Sequence, residues 1–198
     1  GCGKTTSIGM MLGLITPTSG EIFIDGIKLN SSNRIKLLSL MNFASPYIEL
    51  PKKLTVRQNL EIYARLYGVS NKEKRIEELV EDLNLNKFLN KKTGELSSGQ
   101  KNRVSLAKSL INKPKLLFLD EPTASLDPDV GDFVREYLEK YKKNNELTML
   151  LASHNMKEVE RLCNNIIMMK QGKIVDQGTC DELITKHGRK NLEDTFLK

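Results

Sequence analysis

Apolar and polar residues repeat along the chain with two different periods, which predict a mixture of helices and strands. A spacing of i, i+3, i+4 and i+7, typical of the buried face of a helix, is found at Ile76, Leu79, Val80 and Leu83. Helical patterns of this kind occupy most of residues 54–111, and Thr55 is placed to cap one of these helices. Continuous apolar runs at 116–119 and 147–152 predict buried strands instead.

Turn residues add two hairpins to this pattern. Asp25-Gly26 follows a predicted strand at 21–24, and Gln171-Gly172 separates the segments 166–169 and 173–176. A helix predicted from residue 3 to about residue 13 precedes the first hairpin. The order of helix, hairpin, helices, strand, helix and strand predicts an α/β fold.

The first six residues, Gly1-Cys2-Gly3-Lys4-Thr5-Thr6, form the second half of the pattern G-x-x-x-x-G-K-[ST]. The backbone N–H groups of such a loop bind anions at a helix N-terminus. Glycines permit close approach of a phosphate, while Lys4 supplies a positive charge and Thr5 a hydroxyl for Mg²⁺. The same string also occurs in ordinary turns before helices, so half of the motif does not decide between a nucleotide site and a solvated turn.

A second string supports the nucleotide site, because the apolar run 116–119 ends in Asp120 and Glu121. Ligands of parallel sheets bind at the carboxyl ends of the strands. A carboxylate there holds Mg²⁺, and its neighbour polarises an attacking water. The alternative is a strand that ends in an acidic turn at Pro122, and the presence of Lys4 and Thr5 makes it the less favoured interpretation.

Three further strings narrow the assignment. Leu96-Ser97-Ser98-Gly99-Gln100 precedes a helical pattern, so Ser97 is placed as its N-cap beside a second anion site. Ala124-Ser125-Leu126-Asp127-Pro128 starts another helix, with Asp127 as cap and Pro128 as the first helical residue. Ser153-His154 stands just past the apolar run 147–152.

In this order the strings resemble the nucleotide-binding domains of ATP-binding cassette (ABC) proteins, over essentially the whole chain. The resemblance implies an α/β fold: a P-loop NTPase (RecA-like) core with a mixed sheet, plus an ABC-type helical subdomain at roughly residues 46–112. It also implies that residues 1–198 are a single nucleotide-binding domain. Because the chain begins inside the phosphate motif, we expect the N-terminal strands of that domain to lie outside it.

The resemblance implies a role for each motif residue, with ATP and Mg²⁺ as cofactors. Asp120 and Thr5 would bind the metal, Glu121 would be the catalytic carboxylate, and His154 would sense the γ-phosphate. The residues expected at the ATP phosphates are Gly1, Cys2, Gly3, Lys4, Thr5 and Thr6. Those expected to close over the ATP of a partner subunit are Ser97, Ser98, Gly99 and Gln100, with Asp127 at the same dimer interface.

Two positions depart from the family pattern. The string Phe43-Ala44-Ser45-Pro46-Tyr47 has no glutamine where the family usually carries one, and Gln58 occupies the place of a glutamate in a later string. That glutamine normally links the metal site to the transmembrane partner, so coupling must be arranged differently here or be weaker. Ser98 replaces a glycine of LSGGQ, which would cost about 1–2 kcal/mol if the backbone there needed a positive φ.

Composition restricts the possible settings. The chain has 198 residues, 39% of them apolar, which suffices for one good core. Its three cysteines, Cys2, Cys163 and Cys180, match neither a disulfide framework nor a zinc site. The net charge of +6 comes from scattered lysines, so a solvated surface is favoured and no nucleic acid is expected. No apolar run is long enough for a membrane helix, so any membrane role requires a partner.

The sequence therefore predicts the ATP-hydrolysing subunit of an ABC transporter. The ending 191–197 resembles the tail of drug and polysaccharide exporters, which favours an export system. The expected partners are a transmembrane permease and a second nucleotide-binding domain, in a homodimer or a heterodimer, with a cytoplasmic location on the inner face of the membrane. Two alternatives stay open: a soluble ABC ATPase that acts on ribosomes or DNA, and a regulatory nucleotide-binding module with little turnover.

Overall fold

The computed structural model describes residues 2–46, 48–124 and 126–196, in which nine helices and seven strands occur. The helices are α1 (Lys4–Met11), α2 (Arg34–Ser39), α3 (Val56–Leu66), α4 (Lys72–Asp82), α5 (Ser98–Leu110), α6 (Pro128–Asn144), α7 (Met156–Leu162), α8 (Cys180–His187) and α9 (Leu192–Phe196). The strands are β1 (Phe23–Ile24), β2 (Ile27–Lys28), β3 (Met41–Ala44), β4 (Leu116–Asp120), β5 (Thr148–Ala152), β6 (Ile166–Lys170) and β7 (Lys173–Gly178). Within the described ranges, no helix is both long and apolar enough to cross a bilayer.

A parallel sheet with the order β3-β4-β5 forms the centre of the structure. Its register pairs Ala44 with Leu119, and Asp120 with Ala152. The carboxyl ends of all three strands therefore lie on the same side of the sheet, which is where parallel sheets bind ligands. The two predicted hairpins form separate antiparallel pairs, β1-β2 and β6-β7. The α/β fold class is thus confirmed, with parallel and antiparallel strands in different sheets.

The middle strand β4 is buried on both faces, as its apolar run predicts. Leu117 and Leu119 point into a core shared with α3 to α6, whereas Phe118 points into a second core with α1 and α2. This alternation follows from the two-residue period of a strand. A buried strand was also predicted at 147–152, and this prediction was wrong. Only Ala152 of β5 is buried, because β5 is an edge strand of the described sheet.

The connection from β3 to β4 contains α3, α4 and α5, in the region predicted to be helical. Thr55 forms a capping box with Gln58 at the start of α3, which confirms the predicted cap. The apolar face predicted at 76–83 is buried in the core that these helices share with β4 and α6. The helices are therefore packed directly on the sheet that carries the site.

A buried lysine lies beneath this helical layer. Lys108 of α5 is only 9% exposed, and its Nζ donates a hydrogen bond to the Phe43 carbonyl at 2.6 Å. The ammonium also lies 5.6 Å from the centre of the Tyr63 ring. Burial lowers the pKa of Lys108 from 10.5 to about 8, because the charged form loses its hydration.

Lys108 is expected to make stability depend on pH. Its pKa is lower in the folded than in the unfolded chain, so the unfolded chain binds more protons between pH 8 and 10.5, and stability rises with pH across that window. Lys108→Met should flatten this rise. It should also increase the free energy of unfolding at pH 7 by about 2 kcal/mol, because removing the cost of the buried charge outweighs the loss of one hydrogen bond. Urea unfolding of both proteins from pH 7 to 10 tests this, and parallel pH profiles would contradict it.

Candidate nucleotide-binding site

The phosphate loop leads directly into α1, as the half-motif predicts. Gly3 is the N-cap of α1 with φ of 102°, a conformation that glycine adopts without strain. It offers no side-chain cap, so the N–H groups of the first helical turn are left for an anionic ligand. Lys4, Thr5 and Thr6 begin the helix, while Gly1 lies outside the described residues.

The turn of the β6-β7 hairpin packs against this loop. The Gly172 N–H donates to the Cys2 carbonyl at 3.1 Å. A methyl group on Gly3 would lie 3.4 Å from the Gly172 Cα, so the two backbones are in contact. The sequence predicts the Gln171-Gly172 turn but gives no sign of this contact, which joins segments about 170 residues apart.

Thr5 and Asp120 meet at the carboxyl edge of the sheet. The Thr5 hydroxyl donates to Asp120 Oδ2 at 3.1 Å, and Asp120 is 4% exposed. The ammonium of the preceding residue, Lys4, donates to Cys2 Sγ at 3.6 Å. A hydroxyl and a carboxylate are hard oxygen donors, which suits Mg²⁺. No three acidic, histidine or cysteine side chains of the described ranges converge on a metal position, so phosphate and water oxygens would have to complete the coordination.

Glu121 and His154 are in direct contact. His154 Nδ1 lies 2.7 Å from Glu121 Oε2, and the His154 N–H donates to the same oxygen at 3.4 Å. The Glu121 side chain is 12% exposed and that of His154 is 73% exposed. The carboxylate is therefore largely shielded, whereas the imidazole faces solvent. The pair arises because β4 and β5 are adjacent and end together.

Glu121 also has an unusual backbone. Its φ is 53°, in the left-handed region that non-glycine residues rarely adopt. Its N–H donates to the Ala152 carbonyl at 2.8 Å, which continues the β4-β5 pairing by one bond. Strained backbone of this kind is held by surrounding contacts and is typical of functional sites.

The signature string begins α5 as predicted. Ser97 is the N-cap: its Oγ accepts from the Gln100 N–H, and Gln100 Oε1 accepts from the Ser97 N–H. Ser98 is the first residue of α5 and has a helical backbone, so serine at this position does not incur the cost of a positive φ. Gly99 does need to be small, since a Cβ there would lie 3.3 Å from Val130 Cγ1 on α6.

The structure does not bring this string to the phosphate loop. Ser97 and Ser98 are exposed, and no hydrogen bond or ion pair within the described ranges joins them to Lys4 or Thr5. Asp127 is the N-cap of α6 and Pro128 its first residue, as predicted, but the exposed Asp127 side chain makes no capping bond. These side chains are thus presented to the outside of the molecule.

Comparison with known proteins identifies the family. The sequence model of the ABC transporter family matches residues 1–124. The chain belongs to the ABC transporter family. It is an ABC ATPase domain, of the kind found as the ATP-binding subunit in import and export systems alike. The fold class and the ATP-binding function predicted from the sequence are therefore confirmed.

Relatives of both transport directions resemble this ABC domain. The ABC transporter ATP-binding protein NatA of Bacillus subtilis (strain 168) is 30% identical over all of the chain and 80% of its own length. The bacitracin transport ATP-binding protein BcrA of Bacillus licheniformis is 35% identical over 98% of the chain, and methionine import ATP-binding protein MetN 3 of Shouchella clausii (strain KSM-K16) is 35% identical over all of it. The chain spans 62% of BcrA and 59% of MetN 3.

Solved structures agree with the ABC assignment. The ATP-binding subunit of an ABC transporter superposes with a TM-score of 0.89 at 26% identity, over 99% of this chain and 82% of the other. A dimeric ATP-binding cassette in a post-hydrolysis state, bound to ADP and Pi, gives a TM-score of 0.79 at 26% identity, over 90% and 81%.

Proposed function

We propose that this ABC domain hydrolyses ATP to drive transport through a separate transmembrane permease, in an export system. The observation that carries the proposal is the convergence of Thr5, Asp120, Glu121 and His154 at the carboxyl edge of one parallel sheet. Export is favoured by the ending at 191–197 alone, because a relative named for import and one named for export are similar in identity, at 35% and 34%. In this role the protein would lie in the cytoplasm against the inner face of the membrane.

Binding of Mg-ATP would use the loop and the start of α1. Lys4 would leave Cys2 and contact the β- and γ-phosphates, and the N–H groups after Gly3 would bind phosphate oxygens. Thr5 and Asp120 fit Mg²⁺ because their two oxygens already lie 3.1 Å apart. The metal would supply positive charge that the buried Asp120 orients.

Hydrolysis would depend on the pair of Glu121 and His154. Glu121 is one residue past Asp120 and largely shielded from solvent, and its carboxylate would polarise the water that attacks the γ-phosphate. His154 is exposed and bonded to it, so the imidazole would hold the carboxylate in place and contact the γ-phosphate. Both groups are positioned by backbone bonds between β4 and β5.

A second nucleotide-binding domain would complete the site. Ser97, Ser98 and Asp127 are exposed and make no described bond to Lys4, so these residues would act on the nucleotide of another subunit. The free N–H groups at the start of α5 and the Ser97 hydroxyl would contact the γ-phosphate there. Dimeric assembly is supported by the dimeric cassettes among the similar structures.

The permease would dock in a cleft between β3 and α5. This cleft has a volume of about 350 Å³ and is lined by residues that follow β3, including Ile48 and Leu50, and by Lys101 and Ser105 of α5. Ile48 is 49% exposed there. Ser45, buried at 5% exposure, connects this lining to the end of β3 beside Asp120, in place of the family glutamine.

A charge in the cleft should uncouple hydrolysis from the permease. Ile48→Asp is expected to leave basal phosphate release from Mg-ATP unchanged and to reduce its stimulation by membranes that contain the permease by about tenfold, since burying an unpaired carboxylate opposes docking. Ile35→Asp is the matched control, because Ile35 is 86% exposed on α2, outside the cleft. Equal stimulation of the Ile48 and Ile35 variants would contradict the docking site.

A further inference from the structure

The start of α7 differs from the starts of α3, α5 and α8. In α3, α5 and α8 the third helical residue, Gln58, Gln100 or Glu182, accepts from the backbone N–H of the N-cap. Asn155 caps α7 through its side chain, but its own N–H donates to Ser153 Oγ at 3.0 Å. The third residue of α7, Glu158, is thereby released from the usual capping bond.

Glu158 uses its two oxygens for a different purpose. Oε2 accepts from the Ser153 hydroxyl at 2.6 Å, and Oε1 accepts from the Thr123 hydroxyl at 2.8 Å. Glu158 is 1% exposed and is satisfied by these bonds, and none of the ion pairs in the described part of the chain involves it. A buried carboxylate is costly unless its hydrogen bonds are well made, so each bond holds its donor firmly.

The two donors belong to the segments that carry the proposed catalytic pair. Thr123 is two residues after Glu121, and Ser153 immediately precedes His154. Among the residues that the structure describes, these segments are otherwise joined by the bond from the Glu121 N–H to the Ala152 carbonyl and by the contacts between Glu121 and His154. Glu158 therefore bridges the two segments that follow β4 and β5.

We propose that Glu158 is a positioning residue for hydrolysis, which fixes Glu121 and His154 relative to each other through Thr123 and Ser153. This inference rests on the proposed function of that pair. Glu158 touches no nucleotide group, so it acts only through the geometry of the two segments. The left-handed backbone of Glu121 is consistent with such a bridge, because a strained residue keeps its conformation only when its neighbours are held.

The first test compares Glu158→Leu with Glu182→Leu. Both remove the third-residue carboxylate of a capped helix, but Glu182 lies in α8 and accepts only from Thr179. Glu158→Leu is expected to lower kcat for Mg-ATP about tenfold and to leave KM within about twofold. A small misplacement of a catalytic group destabilises the transition state and has little effect on ATP binding. Glu182→Leu should change neither constant. Equal kcat values in the two variants, or an equal rise of KM and fall of kcat for Glu158→Leu, would overturn the proposal.

A milder variant keeps the test decisive if Glu158→Leu does not fold. Thr123→Val removes one donor, preserves the shape of the side chain and leaves the bond from Ser153. It should lower kcat about fivefold in the wild-type protein but cause no further loss of residual turnover in the Glu121→Gln protein, because it acts through Glu121. An equal loss in both backgrounds would show a merely structural effect and overturn the proposal. If Glu121→Gln itself hydrolysed ATP at the normal rate, the proposed function would fail first.

Discussion

Glu121→Gln is expected to reduce Mg-ATP hydrolysis by about 10²–10⁴-fold, the usual contribution of a positioned general base. The amide keeps the shape of the side chain and its place beside His154, but it has no charge with which to polarise water. ATP binding should persist, because Lys4, Thr5 and Asp120 are unchanged. ATP that is bound and not hydrolysed should hold two copies together.

Two measurements examine this expectation for Glu121. Phosphate release gives the turnover, and size-exclusion chromatography should show a dimer with ATP and a monomer with ADP. Glu136→Gln is the control, because Glu136 pairs with Lys140 on the exposed surface of α6. Normal turnover in the Glu121 variant would refute the assignment of the catalytic carboxylate.

Asp120→Asn is expected to weaken the apparent Mg²⁺ affinity of hydrolysis by about 10–100-fold. Asparagine can still accept the Thr5 bond, so the edge of the sheet should keep its structure, whereas the negative charge that orients the metal is lost. Nucleotide binding in the absence of magnesium should be nearly unaffected.

A titration of turnover against Mg²⁺ concentration measures the effect at Asp120. Asp129→Asn provides the comparison, since Asp129 is exposed in the first turn of α6. Superimposable Mg²⁺ curves for wild type and the Asp120 variant would show that this carboxylate does not serve the metal.

Local patterns predicted most of the fold. The capped starts of α3 and α5, the hairpin turns and β4 were all visible in the sequence, because caps, turns and apolar periods act over a few residues. The motif residues at the ends of β4 and β5 were predictable for a related reason. Parallel strands end at one edge, so residues that directly follow them must lie close together.

Long-range contacts were not predictable in this way. The bridge made by Glu158, the packing of Gly172 on the phosphate loop and the burial of Lys108 join segments that are distant in sequence. The residue types gave no warning either, since an Asn at the start of α7 with Glu three residues later looks like an ordinary capped helix. The structure shows the difference, because the Asn155 N–H donates to Ser153 Oγ and leaves Glu158 without the usual capping bond.

ATP is expected to be hydrolysed between Lys4 of one copy and Ser97 of another, and mixing two defective proteins tests this arrangement most directly. Lys4→Ala removes the phosphate contact, and Ser97→Arg blocks the partner's nucleotide, so each variant alone should be inactive. A mixed dimer contains one intact site, made from the unaltered Lys4 and the unaltered Ser97. Equimolar mixing should therefore restore roughly a quarter of wild-type phosphate release if the copies pair at random. A mixture no more active than its components would contradict the shared site.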